Sequence, residues 1–247
     1  GILHAFKPVH TEYMNAVAQP HRSNPVENEL QLYTPIYRTD DLFGTVSADG
    51  RLTFPHLPAP VHTLSDLEDA MDAAYRSIDA LHSPCVKQMQ AYFRTLEFAY
   101  RTREEAEAAF PKALSGDRDA AAVVQDYIME RILSRGMKYQ IHTGVANIGY
   151  TSPAKLRGAV ERHPEVPFVF LHTYPYTDEA LTMLWFYPNV YLDLSWLQLL
   201  SPTILRDTLR KALGLTPMNR IFLSTDATCP EEQYGTAVGI RRVLAQV

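Results

Sequence analysis

The C-terminal part of the chain switches repeatedly between two periods, and this limits the available folds more than any other feature. Runs rich in β-branched, aromatic and aliphatic residues read as strands at 137–142, 167–172, 190–194 and 220–224. Between them the apolar spacing changes to three and four, predicting helices over 153–162, 177–186 and 202–213, with a last helix opening near Glu231. Strands joined through helices by links this short must run parallel, with the helices packed outside. Right-handed crossovers then set sequential strands side by side.

Upstream the pattern weakens. A helix is expected from about residue 65 to 81, capped by Ser65 or Thr63, with Leu67, Ala70, Met71, Ala74 and Ile78 on one face. An apolar run at 84–89 reads as a strand, and helices follow near 103–114 and 119–135, the second stopped by Gly136. Residues 1–64 differ: they hold seven of the 17 prolines and five of the nine histidines, with little helical period. At most short strands are expected there, near 30–37 and 52–54. Proline removes a ladder donor, so buried parallel strands are not expected in this segment.

Bulk properties narrow the class. A chain of 247 residues that is 46% hydrophobic can bury a substantial core. Its net charge of −5 argues against a nucleic-acid surface, which needs a basic patch. No run reaches the roughly 20 apolar residues of a membrane span, and no basic-then-apolar leader opens the sequence. Two cysteines, Cys85 and Cys229, form no CxxC pair and read as reduced thiols of a cytoplasmic protein.

Three strand ends share one grammar: an apolar strand, one metal-competent side chain, then a loop. They are the runs ending in His142, in His172 and in Asp226. Phe168, Phe170 and His172 fall on one face by alternation, as do Phe222, Ser224 and Asp226. In a barrel of such units this is the C-terminal rim, where active sites sit. Imidazole nitrogens suit zinc, iron or nickel, and a carboxylate can ligate or act as a base. Any one of these histidines alone reads as an ordinary packing residue; the succession His, His, Asp in sequential units is what points to a divalent metal. Donors to one ion should bring their metal-facing atoms within roughly 6 Å of each other.

The quoted runs QIHTG (140–144), FVFLHTYP (168–175), NVYLDLSW (189–196) and RIFLSTDA (220–227), followed by PEE, resemble the amidohydrolase superfamily. The resemblance implies an α/β fold of (β/α)8 TIM-barrel type. Here it is incomplete, with N-terminal strands missing or irregular, since about five of the eight strands are recognisable. Residues 1–64 then read as an irregular proline-rich segment or insertion, and 65–247 as the barrel portion. The resemblance further implies metal ligation by His142, His172 and Asp226, zinc first among the ions, with Asp226 also moving a proton. Lys87, in the run PCVKQMQAY (84–92), falls where some members carry a lysine that is carboxylated to bridge two metals, and is expected either in that role or as another catalytic lysine of the active site. Arg94, Tyr150, Tyr174 and Trp196 follow strand ends as candidate substrate contacts. The family's HxH pair is absent from this sequence. An open barrel with a site short of first-strand ligands, binding zinc weakly, is therefore expected.

The activity so implied is a metal-dependent hydrolase of small molecules, with an activated water attacking an amide- or ester-type bond. A decarboxylase or isomerase of the same superfamily, and a catalytically incomplete fragment that only binds metal or ligand, are the alternatives. No nucleic-acid or membrane partner is expected; a homo-oligomer is compatible with the sequence.

Overall fold

The computed structural model describes residues 11–13, 35–227 and 229–247. These fall into two compact units, one of residues 1–88 with 99–138, the other of residues 89–98 with 139–247. Both are discontinuous in sequence.

The first unit holds strands β1 (Thr11–Tyr13) and β2 (Pro35–Arg38), the short helix α1 (Asp40–Phe43), the hairpin β3 (Thr45–Val46) and β4 (Leu52–Thr53), helix α2 (Leu64–Ala80) and strand β5 (Cys85–Gln88). Helices α3 (Arg103–Ser115) and α4 (Arg118–Leu133) complete it. β1, β2 and β5 are parallel, with Tyr37 opposite Val86 and Arg38 opposite Lys87. β2 corrects an expectation. Ile36 and Tyr37 are fully buried in a parallel strand inside the proline-rich segment. Pro35 is tolerated because it is the first strand residue, where proline costs the ladder least. The expected strand near 30–37 lies partly outside the described residues, and so do His4, His10 and His21.

Helix α2 starts where Thr63 closes a capping box with Asp66, each side chain accepting from the other's backbone N–H. Its face of Leu64, Leu67, Met71, Ala74, Tyr75 and Ile78 is buried. The same device, Thr102 with Glu105, opens α3. Asp117 caps α4 through the Ala120 amide.

The second unit holds β6 (Lys138–His142), helix α5 (Arg157–Arg162), β7 (Phe168–Leu171), helix α6 (Thr177–Phe186), β8 (Val190–Asp193), the short helix α7 (Leu197–Leu200), helix α8 (Pro202–Leu215), β9 (Ile221–Phe222) and helix α9 (Pro230–Leu244). Its four strands are parallel neighbours in sequence order, as the alternation of periods requires. Tyr139 pairs with Phe168 and Ile141 with Phe170, while His142 pairs with Leu171, and Leu171 with Asp193. Residues paired in register project to the same face. Tyr139, Ile141, Phe168, Phe170, Val190 and Leu192 therefore form one fully buried face, and His142 belongs to the other.

β9 ends its sheet and, among the described residues, pairs only with β8. Among the described residues no strand closes the barrel on that side, and Phe222 is 45% exposed. No described helix is long and apolar enough to cross a membrane.

Candidate active site

His142, His172, Ser195, Trp196 and Asp226 come from the ends of β6 to β9, and Tyr92 from a 3-10 turn (Gln90–Tyr92) of the same unit. His142 and His172 are 1% and 2% exposed, and their ring centroids lie 4.5 Å apart. Alternation alone sets His172 on the face of Phe168 and Phe170, away from His142. The backbone corrects this. His172 has φ 69 and Thr173 φ 67, so the strand's alternation stops at Leu171 and the imidazole turns to the His142 side. Trp196 (φ 67) and Asp226 (φ 51) are also left-handed. Four non-glycine residues in this region at one end of the sheet mark a site where strain is held by its surroundings.

Gly144, at φ 78, is the position where glycine is obligatory. A Cβ there would stand 2.2 Å from the Tyr174 carbonyl oxygen, so the loop after β6 touches the loop after β7 only without a side chain. The Thr151 hydroxyl donates to the Gly144 carbonyl at 2.6 Å and the Thr143 hydroxyl to the Leu171 carbonyl at 2.8 Å.

Hydrogen bonds assign the imidazole nitrogens. His142 Nε2 lies 2.9 Å from the Val145 carbonyl. A carbonyl only accepts, so Nε2 carries the proton and the lone pair of the neutral ring is on Nδ1. His172 Nδ1 lies 2.8 Å from Ser195 Oγ, and its Nε2 lies 3.8 Å from Asp226 Oδ2. Asp193 Oδ1 accepts from the Ser195 amide at 2.7 Å and from the Ser224 hydroxyl at 2.8 Å.

Aromatic rings close round the pair. Trp196 stacks on His172 at 4.5 Å and 27°, and Tyr92 lies 4.6 Å from the His142 ring. Burial, and then the charge of Asp226, raise the Tyr92 phenol above its ordinary range, so it remains a hydrogen-bond donor at neutral pH.

Other expected site residues lie as follows. Lys87 belongs to the first unit: it is buried on β5, and its carbonyl accepts from the amide and hydroxyl of Thr39 at 2.8 and 3.1 Å. Arg94 lies over the Phe98 ring at 4.3 Å and donates to the carbonyls of Thr95 and Glu97. Tyr150 is exposed, with its carbonyl accepting from the Leu96 amide at 3.0 Å. Tyr174 is half-buried and supplies the carbonyl that faces Gly144. Tyr92, Ser195 and Ser224 were not picked out by sequence. Ser195 had a signal, since it follows Asp193 at the end of a strand like those carrying the histidines.

No group of three or more His, Cys, Asp or Glu side chains is gathered tightly enough to hold an ion among the described residues. The donor chemistry nevertheless fits one. Donors to an ion at about 2.0–2.2 Å stand roughly 3–4 Å apart, and the His172–Asp226 separation of 3.8 Å falls in that range. The hydroxyl of Thr173, the residue after His172, is buried without a protein hydrogen-bond partner.

Among solved structures, a candidate metal-dependent hydrolase from Lactobacillus casei matches 87% of the chain at 22% identity, TM-score 0.67. Uronate isomerase from Thermotoga maritima matches 95% at 14% identity, TM-score 0.74, and glucuronate isomerase from Caulobacter crescentus 96% at 14%, TM-score 0.68. At these identities the likeness speaks for the fold, which is that of TIM-barrel proteins. The chain spans 58%, 59% and 57% of their respective lengths. Protein fluG of Emericella nidulans is 42% identical over 96 residues, 35% of this chain and 11% of that protein. The amidohydrolase family model matches residues 91–245, the larger part of the chain and all of the site just described, and the chain belongs to the amidohydrolase family.

Proposed function

We propose that this chain is the catalytic portion of a metal-dependent hydrolase of small molecules, cleaving an amide- or ester-type bond, with His142 Nδ1, His172 Nε2 and Asp226 as the metal donors. One observation carries the reading: two buried imidazoles 4.5 Å apart and a carboxylate 3.8 Å from one of them, at the ends of consecutive parallel strands. A bound divalent ion supplies Lewis acidity and lowers the pKa of a water towards about 7. Zinc is the first to test, given imidazole and carboxylate donors.

The chain's own groups have separate tasks. Asp226, part-exposed at the strand end, accepts the proton released in the reaction. Tyr92 offers its phenolic proton to a substrate oxygen. Trp196 covers His172 and keeps bulk water from that face. Tyr150, Tyr174 and Arg94 are proposed as outer substrate contacts. Two unpaired cysteines suit a reducing, cytoplasmic setting.

The test is metal content of the purified protein by mass spectrometry, with hydrolysis screened on amide, lactone and aromatic-acid libraries. The reading expects about one divalent ion per chain, lost in His142→Ala and His172→Ala, and hydrolysis lost with it. Carbon dioxide release or sugar isomerisation without hydrolysis would overturn the reaction class. Metal content indifferent to both substitutions would overturn the ligand set.

A further inference from the structure

Ser195, His172 and Asp226 form a chain in the order of a nucleophilic triad: hydroxyl, imidazole, carboxylate, at 2.8 and 3.8 Å. Burial decides against that role. Ser195 is 2% exposed and cannot meet a substrate carbonyl. Its hydroxyl also holds Nδ1, while Nε2 looks towards Asp226.

We propose instead that Ser195 is a positioning residue that accepts the Nδ1 proton of His172, and thereby leaves the Nε2 lone pair facing Asp226. This rests on the ligand reading of His172 given above. A hydroxyl can donate or accept, so the 2.8 Å contact alone allows two tautomers. If Ser195 donated, Nε2 would carry a proton and could neither ligate nor accept. The surroundings hold the serine and the ring in place. Asp193 Oδ1 grips the Ser195 amide at 2.7 Å and is itself held by the Ser224 hydroxyl at 2.8 Å. The next residue, Trp196, is left-handed, and its indole lies 27° from the plane of the His172 ring at 4.5 Å, which hinders a ring flip. Asp193, on this account, acts on the histidine through the serine. A partner on the far nitrogen of a ligating histidine typically changes metal affinity by 10–100-fold.

The experiment has two arms, both on the full chain. Long-range 15N–1H spectra of the metal-free protein, at a pH where histidine is neutral, read the His172 tautomer; His172→Gln assigns the signals. Zinc titration calorimetry reads affinity. Wild type should show Nδ1–H. Ser195→Ala should show a mixture or Nε2–H and bind zinc about 10–100-fold more weakly, with its melting temperature close to wild type. Ser195→Thr, which keeps a hydroxyl, should restore the wild-type tautomer. Ser224→Ala, which removes only an outer bond to Asp193, should leave it unchanged. An Nε2–H tautomer in wild type, or the same tautomer in wild type and Ser195→Ala, overturns the proposal. If wild type binds no zinc, the ligand reading fails by itself and the spectra still decide the role of Ser195.

Discussion

Gly144 shows how a single residue can set the geometry of two loops. Its φ of 78 is costly for any other residue, and the missing Cβ admits the Tyr174 carbonyl. Gly144→Ala combines backbone strain with a clash against main chain, which cannot swing aside as a side-chain tip could. A loss of about 2–4 kcal/mol is expected, or roughly 4–16 °C in melting temperature for a chain of this size. Thermal denaturation followed by circular dichroism checks it; a shift under 2 °C would mean that the two loops adjust freely. The glycine was legible as part of QIHTG. The left-handed His172, Thr173, Trp196 and Asp226 were not, because none is glycine, and the mild preference of His and Asp for φ > 0 is too weak to mark single positions. Packing imposes that conformation, and with it the meeting of the two imidazoles, for which strand alternation alone gave the wrong face to His172.

Helices α2, α3 and α4 meet at one acidic group. Glu68 of α2 accepts from Arg103 of α3 at 2.9 and 3.1 Å and from the Tyr127 hydroxyl of α4 at 2.5 Å. Burial pushes the Glu68 carboxyl up, but the hydrogen bonds from Arg103 and Tyr127 outweigh it and hold it below the ordinary glutamate value. A depressed carboxyl stabilises the fold above its unfolded pKa, and that contribution fades as pH falls through the folded one. Glu68→Gln should therefore lower the melting temperature at neutral pH by about 2–4 °C, corresponding to roughly 1 kcal/mol after discounting the exposure of Arg103. The difference from wild type should close as pH drops below about 4. A gap that persists in acid would show that the ion pair contributes nothing. The helices themselves were readable from apolar spacing and caps, and α2 begins at the expected Thr63. β2 was readable only as a short strand near 30–37: four residues opening with proline carry too little pattern to show its burial, which comes with pairing to β5, a neighbour far away in sequence.

Across the whole molecule, metal and stability should be coupled. An ion that binds only the folded chain adds about 2.7 kcal/mol at a hundredfold excess over Kd, here roughly 5–11 °C in melting temperature. Zinc should produce that rise, a chelator should reverse it, and His172→Ala should abolish it. A rise that survives His172→Ala would mean that the ion binds elsewhere. This sequence holds no HxH pair, so a high zinc concentration should be needed to reach saturation.

The division of the chain also has a consequence for biosynthesis. Tyr92 lies in residues 89–98, which pack with 139–247, while residues 99–138 belong to the other unit. On the ribosome those ten residues emerge first and must wait for 40 more before their own unit begins to appear, about 2–8 s at 5–20 residues per second. In that interval α3 and α4 are made and can fold. The loop carrying Tyr92 is thus held back while a different body assembles, and the aromatic wall of the histidine pair is translated well before the histidines it covers.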